Sequence, residues 1–228
     1  MKTEAIIVAA GRGARLKSSV LKPFIRLDQK PLYAYCLKVF EACPLIDKII
    51  IVVHRESFKD FARIIEKFRW KKVKAVVIGG ATRRDSVRHG LNVLDKDTQL
   101  VAIHDVARPF INSEIISSAV RTAKTKGACV VGVPVKSTIK LVDPKKGIVQ
   151  RTIPRDLLWE IQTPQVFKKD IILKAHKRNL TLKATDDAML VERLGIKVSV
   201  VKGDYRNIKI TTQEDLSLAK MLLVSKEK

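Results

Sequence analysis

The 228-residue chain carries 45 Lys and Arg against 23 Asp and Glu, a formal net charge of +22, with 46% hydrophobic and only 5% aromatic residues. That apolar share supports a buried core and excludes a disordered chain, and no segment approaches the roughly 20 apolar residues that would cross a bilayer. The opening "MKTEAIIVAAGRG" has neither the apolar run nor the cleavage pattern of a secretory signal, so no leader and no membrane association are expected.

Apolar runs rich in Val and Ile at residues 4–10, 48–53, 74–79, 100–105 and 128–135 predict buried parallel strands. Between them, residues 32–42, 58–68, 85–94 and 115–126 repeat apolar side chains at three- and four-residue spacing, which predicts helices. The alternation implies an α/β fold: a doubly wound, mostly parallel, Rossmann-like sheet with helices on both faces, in one domain over residues 1–228. After Pro134 the rhythm changes. "KSTIKLVDPKKGIVQRTIPRD" sets two short β-prone segments on either side of Asp-Pro-Lys-Lys-Gly, which predicts an antiparallel hairpin over residues 136–156. Such a hairpin is too small to be stable alone; it is expected to protrude as an arm that packs on a partner subunit, the alternative being a hairpin folded back on its own domain. The chain returns through "TPQVF", helices at 170–177 and 187–194, a strand "KVSVV" and a last helix for which Thr212 and Asp215 form a capping start.

The positive charge is spread out. Lys59, Arg63 and Lys67 recur at helical spacing and other lysines are scattered to Lys228, the pattern of a solvated surface. A basic nucleic-acid-binding protein is the reading from another class, because phosphate attraction needs only charge; with few aromatics and no recognition module, nucleic acid is not the expected partner. Cys36, Cys43 and Cys129 are odd in number and form no CxxC pair, which argues against a metal site or a disulfide framework and fits a reducing cytoplasm.

Ligands of open α/β sheets bind beyond the carboxyl ends of the strands, and the polar clusters of this chain fall there. The first strand delivers Gly11, Gly13, Arg15 and Lys22, the third delivers "GGATRRDS", and the fourth delivers "HDVARP". Leu16 stands where a dinucleotide fingerprint needs a third small residue, and no glycine is followed by the Lys and Ser or Thr of a P-loop. Residues 11–22 read instead as a lid, whose glycines let backbone N–H groups approach an anion while Arg15 and Lys22 balance charge on a triphosphate. Asp105, ending a buried strand, is placed to hold Mg²⁺ or to cap the helix that follows. The neighbouring His104 reads as a hydrogen-bonded core residue and is left out of the catalytic set.

In order along the chain, "AAGRGARL…LKPF", "GGATRRDSV", "HDVARPF", "PVKSTIK", "TPQVF", "ATDDAMLVE" and "NIKIT" resemble the 2-C-methyl-D-erythritol 4-phosphate cytidylyltransferases of isoprenoid biosynthesis. The resemblance implies transfer of CMP from CTP to 2-C-methyl-D-erythritol 4-phosphate, giving 4-diphosphocytidyl-2-C-methyl-D-erythritol and pyrophosphate, with Mg²⁺ as cofactor. It also implies Arg15 and Lys22 as the catalytic cations, and Ala9, Ala10, Gly11, Gly13, Gly80, Arg83 and Ser86 around the nucleotide. It places Asp105 at the metal, and Arg155, Lys209, Thr138, Thr163, Thr185 and Arg108 around the acceptor. It implies a homodimer in which each hairpin arm completes the other subunit's site. A ribitol 5-phosphate cytidylyltransferase is the alternative within the same chemistry. The chain departs from the family pattern at Leu16-Lys17, where Met-Gly is common, and at Leu21-Lys22-Pro23, where a proline often precedes the lysine.

Overall fold

The computed structural model describes the whole chain except residues 14–15, 17–19, 179–183 and 225–228. In chain order the elements are β1 (Thr3–Ala9), a short ribbon of β2 (Arg26–Leu27) and β3 (Lys30–Pro31), α1 (Leu32–Ala42), β4 (Lys48–Val53) and α2 (Phe58–Phe68). There follow β5 (Val73–Ile78), α3 (Arg83–Leu91), β6 (Leu100–Asp105), α4 (Ser113–Lys126), β7 (Ala128–Pro134), β8 (Ile139–Asp143) and β9 (Ile148–Ile153). The chain ends with β10 (Trp159–Lys168), α5 (Lys169–Arg178), α6 (Asp187–Glu192), β11 (Ser199–Lys202) and α7 (Gln213–Val224).

Seven strands form the main sheet in the order β11-β7-β10-β6-β1-β4-β5. β1 runs parallel to β4 and β6, β5 to β4, and β11 to β7, while β10 is antiparallel to both β6 and β7. The five apolar runs predicted as parallel strands are thus present, as is the strand predicted at KVSVV (β11), with β10 inserted between the two halves. Alternation along each strand sends neighbours to opposite faces. Ile7, Ile49 and Ile51 pack with Phe40 of α1, Phe61 of α2 and Ile116 of α4. Ile6, Ile50 and Val52 pack on the other face with Val87 of α3, Ile172 of α5 and Leu190 of α6. Both faces are therefore covered, as a parallel sheet requires.

Caps set the helix starts. Thr82 and Asp85 form a reciprocal capping box that opens α3 two residues before the apolar periodicity suggests, and Asn112 accepts from the Ile115 N–H to open α4. The expected Thr212–Asp215 pairing is present at the start of α7, with Thr212 N–H donating to Asp215 at 2.9 Å. α4 stops at Gly127, whose φ of +90° suits glycine.

β8 and β9 form a separate two-stranded hairpin, and Ile148 and Val149 on it are more than half exposed. The hairpin of the sequence reading is therefore present and leaves apolar side chains in solvent. Among the described residues no helix is long and apolar enough to cross a membrane.

Glycine lets α3 approach the sheet closely: a Cβ at Gly90 would meet Ile6 Cγ2 at 2.8 Å and Val52 Cγ2 at 3.1 Å. Gly90→Val is expected to lower stability by about 1–3 kcal/mol through overpacking, measured as a lower urea midpoint at unchanged slope.

Candidate active site

At the carboxyl ends of β1 and β6 lies a cavity of about 700 Å³, within the range of small-ligand sites. One wall is the turn after β1, with Ala10, Gly11, Arg12 and Gly13; Lys22, Arg83, Asp105 and Lys209 close the rest. Gly13 has φ +76°, and a Cβ there would sit 3.1 Å from Lys22 Cβ, so the residue type is required by both the turn and the close return of the chain. Arg12 donates to His54 Nε2, also on the cavity wall, and to Glu56 Oε1, both at 3.1 Å. Arg15 and Lys17 lie outside the described residues. Leu16 is fully buried against Ile25, Leu27 and Ile210, and Gln213 Nε2 donates to its carbonyl at 2.6 Å. The lid expected over residues 11–22 is thus pinned at its middle by an apolar side chain, which gives the Leu16 departure a packing role.

Against that turn packs the segment that opens α3. Ser86 Oγ accepts from the Gly80 N–H at 3.2 Å and donates to the Thr82 carbonyl. A Cβ at Gly79 would meet Ala10 Cβ at 2.6 Å and Ser86 Oγ at 2.7 Å, so these small residues are needed for the wall itself. Ala10, Gly80, Arg83 and Ser86 line the cavity; Ala9 is buried in the core beside it.

Asp105 is the only carboxylate among the described residues that line the cavity. Arg83 Nε donates to its Oδ1 at 2.9 Å and Lys209 Nζ to its Oδ2 at 2.6 Å. Burial by itself raises the Asp105 carboxyl, but the charges of Arg83 and Lys209 outweigh it and hold the group well below the usual carboxylate range. Arg83 also donates through Nη1 to Asp187 Oδ2 at 2.8 Å. Two carboxylates and two cations thus neutralise one another, which makes so much buried charge tolerable.

Beneath Asp105 the hydrogen bonds define a tautomer. His104 Nε2 lies 3.2 Å from the Arg108 carbonyl, which only accepts, so the proton is on Nε2 and Nδ1 accepts from the Thr163 hydroxyl at 3.0 Å. Thr163 Oγ1 in turn accepts from the Asp105 N–H at 3.1 Å. Burial, only partly offset by Asp105, depresses His104 to about 4. His104 is a core residue, as the sequence reading has it.

Of the residues expected around an acceptor, only Lys209 lines the cavity. The Thr163 hydroxyl is spent on His104 and Asp105. Arg108 donates to the carbonyls of Asn207 and Ile161. Thr185 is exposed and directs its hydroxyl to Met189 Sδ. Thr138 and Arg155 stand exposed at the base of the arm, where Arg155 donates to the Lys136 carbonyl. Sequence reasoning missed Asp187 and Gln165, although both lie inside the quoted "ATDDAMLVE" and "TPQVF". Gln165 Oε1 accepts from the N–H groups of Asp187 and Ala188, both at 3.1 Å, tying α6 to the sheet.

A family model described as 2-C-methyl-D-erythritol 4-phosphate cytidylyltransferase matches residues 3–225. The protein of that name from Caldanaerobacter subterraneus subsp. tengcongensis is 46% identical over 226 residues, covering 98% of this chain and 99% of the relative. That from Alkaliphilus oremlandii is 45% identical over 225 residues, covering 97% and 95%. Among solved structures, 4-diphosphocytidyl-2C-methyl-D-erythritol synthase from Anaerococcus prevotii superposes with a TM-score of 0.88 at 34% identity, covering 97% of this chain and 96% of the other. The Thermus thermophilus cytidylyltransferase gives 0.78 at 30% identity, covering 97% and 98%.

The buried imidazole carries a pH signature. Unfolded, His104 takes its proton near the ordinary 6.5; folded, only near 4. Between these values the unfolded chain binds the extra proton, so stability falls as pH is lowered from 6.5 to 4, by on the order of 3 kcal/mol. In denaturant titrations, His104→Gln is expected to flatten the dependence in that window; an unchanged slope would exclude His104 as its source.

Proposed function

The chain belongs to the 2-C-methyl-D-erythritol 4-phosphate cytidylyltransferase family, and from that premise we propose how its own residues transfer CMP from CTP to the acceptor phosphate. One observation supports the scheme: cations from three separate segments, Lys22, Arg83 and Lys209, face one cavity whose floor carries a single buried carboxylate. The triphosphate lies along the Gly11–Gly13 turn beneath Lys22, and the family resemblance gives Arg15 the role of second catalytic cation. A phosphate oxygen of the acceptor, already anionic at neutral pH, attacks the α-phosphorus; the bond to the bridging oxygen breaks and pyrophosphate leaves with the electron pair. No strong general base is required, which suits a site where His104 is locked in the core. The difficulty is to bring two anions together in line, and fixed cations lower that repulsion.

Asp105 suits a magnesium ion of the kind held by one carboxylate and completed by phosphate oxygens, since each of its oxygens keeps a lone pair beyond the bond it now accepts. Among the described residues no group of three or more His, Cys, Asp or Glu is suited to a metal, so substrate oxygens and water would supply the other ligands. Such an ion, when bound, neutralises charge on the triphosphate.

The arm completes the scheme. Its exposed Ile148 and Val149 favour burial against a second copy, and Thr138 and Arg155 at its base, which do not line their own cavity, would serve the acceptor phosphate of the partner's site. Cys36, Cys43 and Cys129 are all free and buried, in keeping with work in a reducing cytoplasm.

Pyrophosphate release from CTP and Mg²⁺ with 2-C-methyl-D-erythritol 4-phosphate tests the reaction, with ribitol 5-phosphate in parallel; release with the second acceptor alone would overturn the assigned substrate. Lys22→Ala is expected to lower turnover by roughly two to three orders of magnitude with the fold intact. Arg155→Ala is expected to raise KM for the acceptor while leaving that for CTP near wild type, and equal weakening of both would contradict its role. Deleting residues 136–154 is expected to halve the sedimenting mass; an unchanged mass would exclude the arm as the dimer contact.

A further inference from the structure

Behind Arg83, on the side away from the cavity, lies a buried pair that the transfer scheme leaves unused. Asp187, the first residue of α6, is 1% exposed, and His176 on α5 is 3% exposed. His176 Nε2–H donates to Asp187 Oδ1 at 3.1 Å, while Asp187 Oδ2 accepts from Arg83 Nη1 at 2.8 Å. Gln165 fixes the backbone of Asp187 from β10, and its Nε2 also donates to Asp186 at 2.7 Å. The carboxylate is therefore held to the sheet through its main chain and divides its two oxygens between an imidazole and a guanidinium. His176 Nδ1 is buried with no partner among the described residues, so Asp187 is the contact that gives this ring a polar purpose.

The result is an arginine gripped from two sides. Arg83 is held at Nε by Asp105 and at Nη1 by Asp187, and no carboxylate or carbonyl among the described residues takes Nη2. We propose that His176 and Asp187 are positioning residues for the nucleotide: they fix the plane of the Arg83 guanidinium so that its remaining N–H groups meet a phosphate or ribose oxygen of CTP. A guanidinium donates in fixed directions within its plane, so its orientation matters as well as its charge. Without the His176 donor, Asp187 Oδ1 is left unpaired in the interior. The nearest relief is for the carboxylate to turn both oxygens onto Arg83, which rotates the guanidinium out of line. The inference rests on the reading of the cavity as a CTP site.

Calorimetric titration of CTP into the wild type, His176→Phe and His176→Gln, each checked for an intact thermal transition, tests the proposal. His176→Phe fills the space without a donor and is expected to weaken CTP about tenfold, the order of one charge-assisted hydrogen bond, with acceptor KM unchanged. His176→Gln places an amide N–H where Nε2 stands and is expected to restore CTP affinity to within about twofold of wild type by the same bond. In an Arg83→Ala background, His176→Phe is expected to have no further effect on CTP binding. Undiminished CTP affinity in His176→Phe, or the same loss persisting without Arg83, would overturn the positioning role. If His176→Phe does not fold, His176→Asn, whose amide falls short of Asp187, takes its place with the same expectation. A wild type that does not bind CTP at all would instead sink the nucleotide reading and this inference with it, whereas CTP-binding wild type beside an unaffected variant sinks the inference alone.

Discussion

The site is organised by one buried carboxylate shared between two cations. Asp105 receives Arg83 on one oxygen and Lys209 on the other, and in doing so joins three chain segments that are remote in sequence: the end of β6, the start of α3 and the stretch before α7. Each partner makes the others tolerable. A lone carboxylate at that depth would protonate, and a guanidinium and an ammonium side by side would repel; together, with Asp187 behind Arg83, they form a neutral group of four charges. The wall they build stays polar and rigid, and it faces a glycine turn whose backbone is open to an anion.

The fold supplies the positions. Parallel strands β1 and β6 end side by side, which brings the glycine turn and Asp105 to the same rim. Inserted antiparallel next to β6, β10 reaches that rim with residues of its own: Thr163 holds the Asp105 backbone, and Gln165 anchors α6 and hence Asp187. A strand running the other way thus works as a brace beneath the site. The clustering of small residues at Ala10, Gly79 and Gly80 has a similar structural cause, since side chains there would collide with α3 and the β1 turn before any ligand arrived.

Much of this was legible in the sequence, and the exceptions share a physical origin. β4, β6, α1 and α2 fall on the predicted bounds because each is a clean periodic segment between polar turns. The hairpin was announced by its turn residues. β10 was not read as a strand, because its ladder shifts register between Gln162 and Gln165 around a proline that cannot donate, and this breaks the two-residue pattern. The site was legible where glycine or a strand-end acid marks it, at Gly11, Gly13 and Asp105. It was illegible where the meaning of a residue depends on a partner a hundred positions away. Arg83 binds Asp187 across 104 residues, and nothing in the local sequence distinguishes that aspartate from the helix cap Asp186 beside it. Likewise the family resemblance puts Thr163 beside the acceptor, and only the neighbouring strand reveals that its hydroxyl is engaged by His104 and the Asp105 N–H.

A crystal structure of the protein with CTP and Mg²⁺ tests the central claim most directly. The account predicts the triphosphate lying over residues 11–13 beneath Lys22, with Arg83 still gripped by Asp105 and Asp187 and with Lys209 facing the space left for the acceptor. Cytidine nucleotide bound away from the ends of β1 and β6, with the Asp105 cluster untouched, would contradict it.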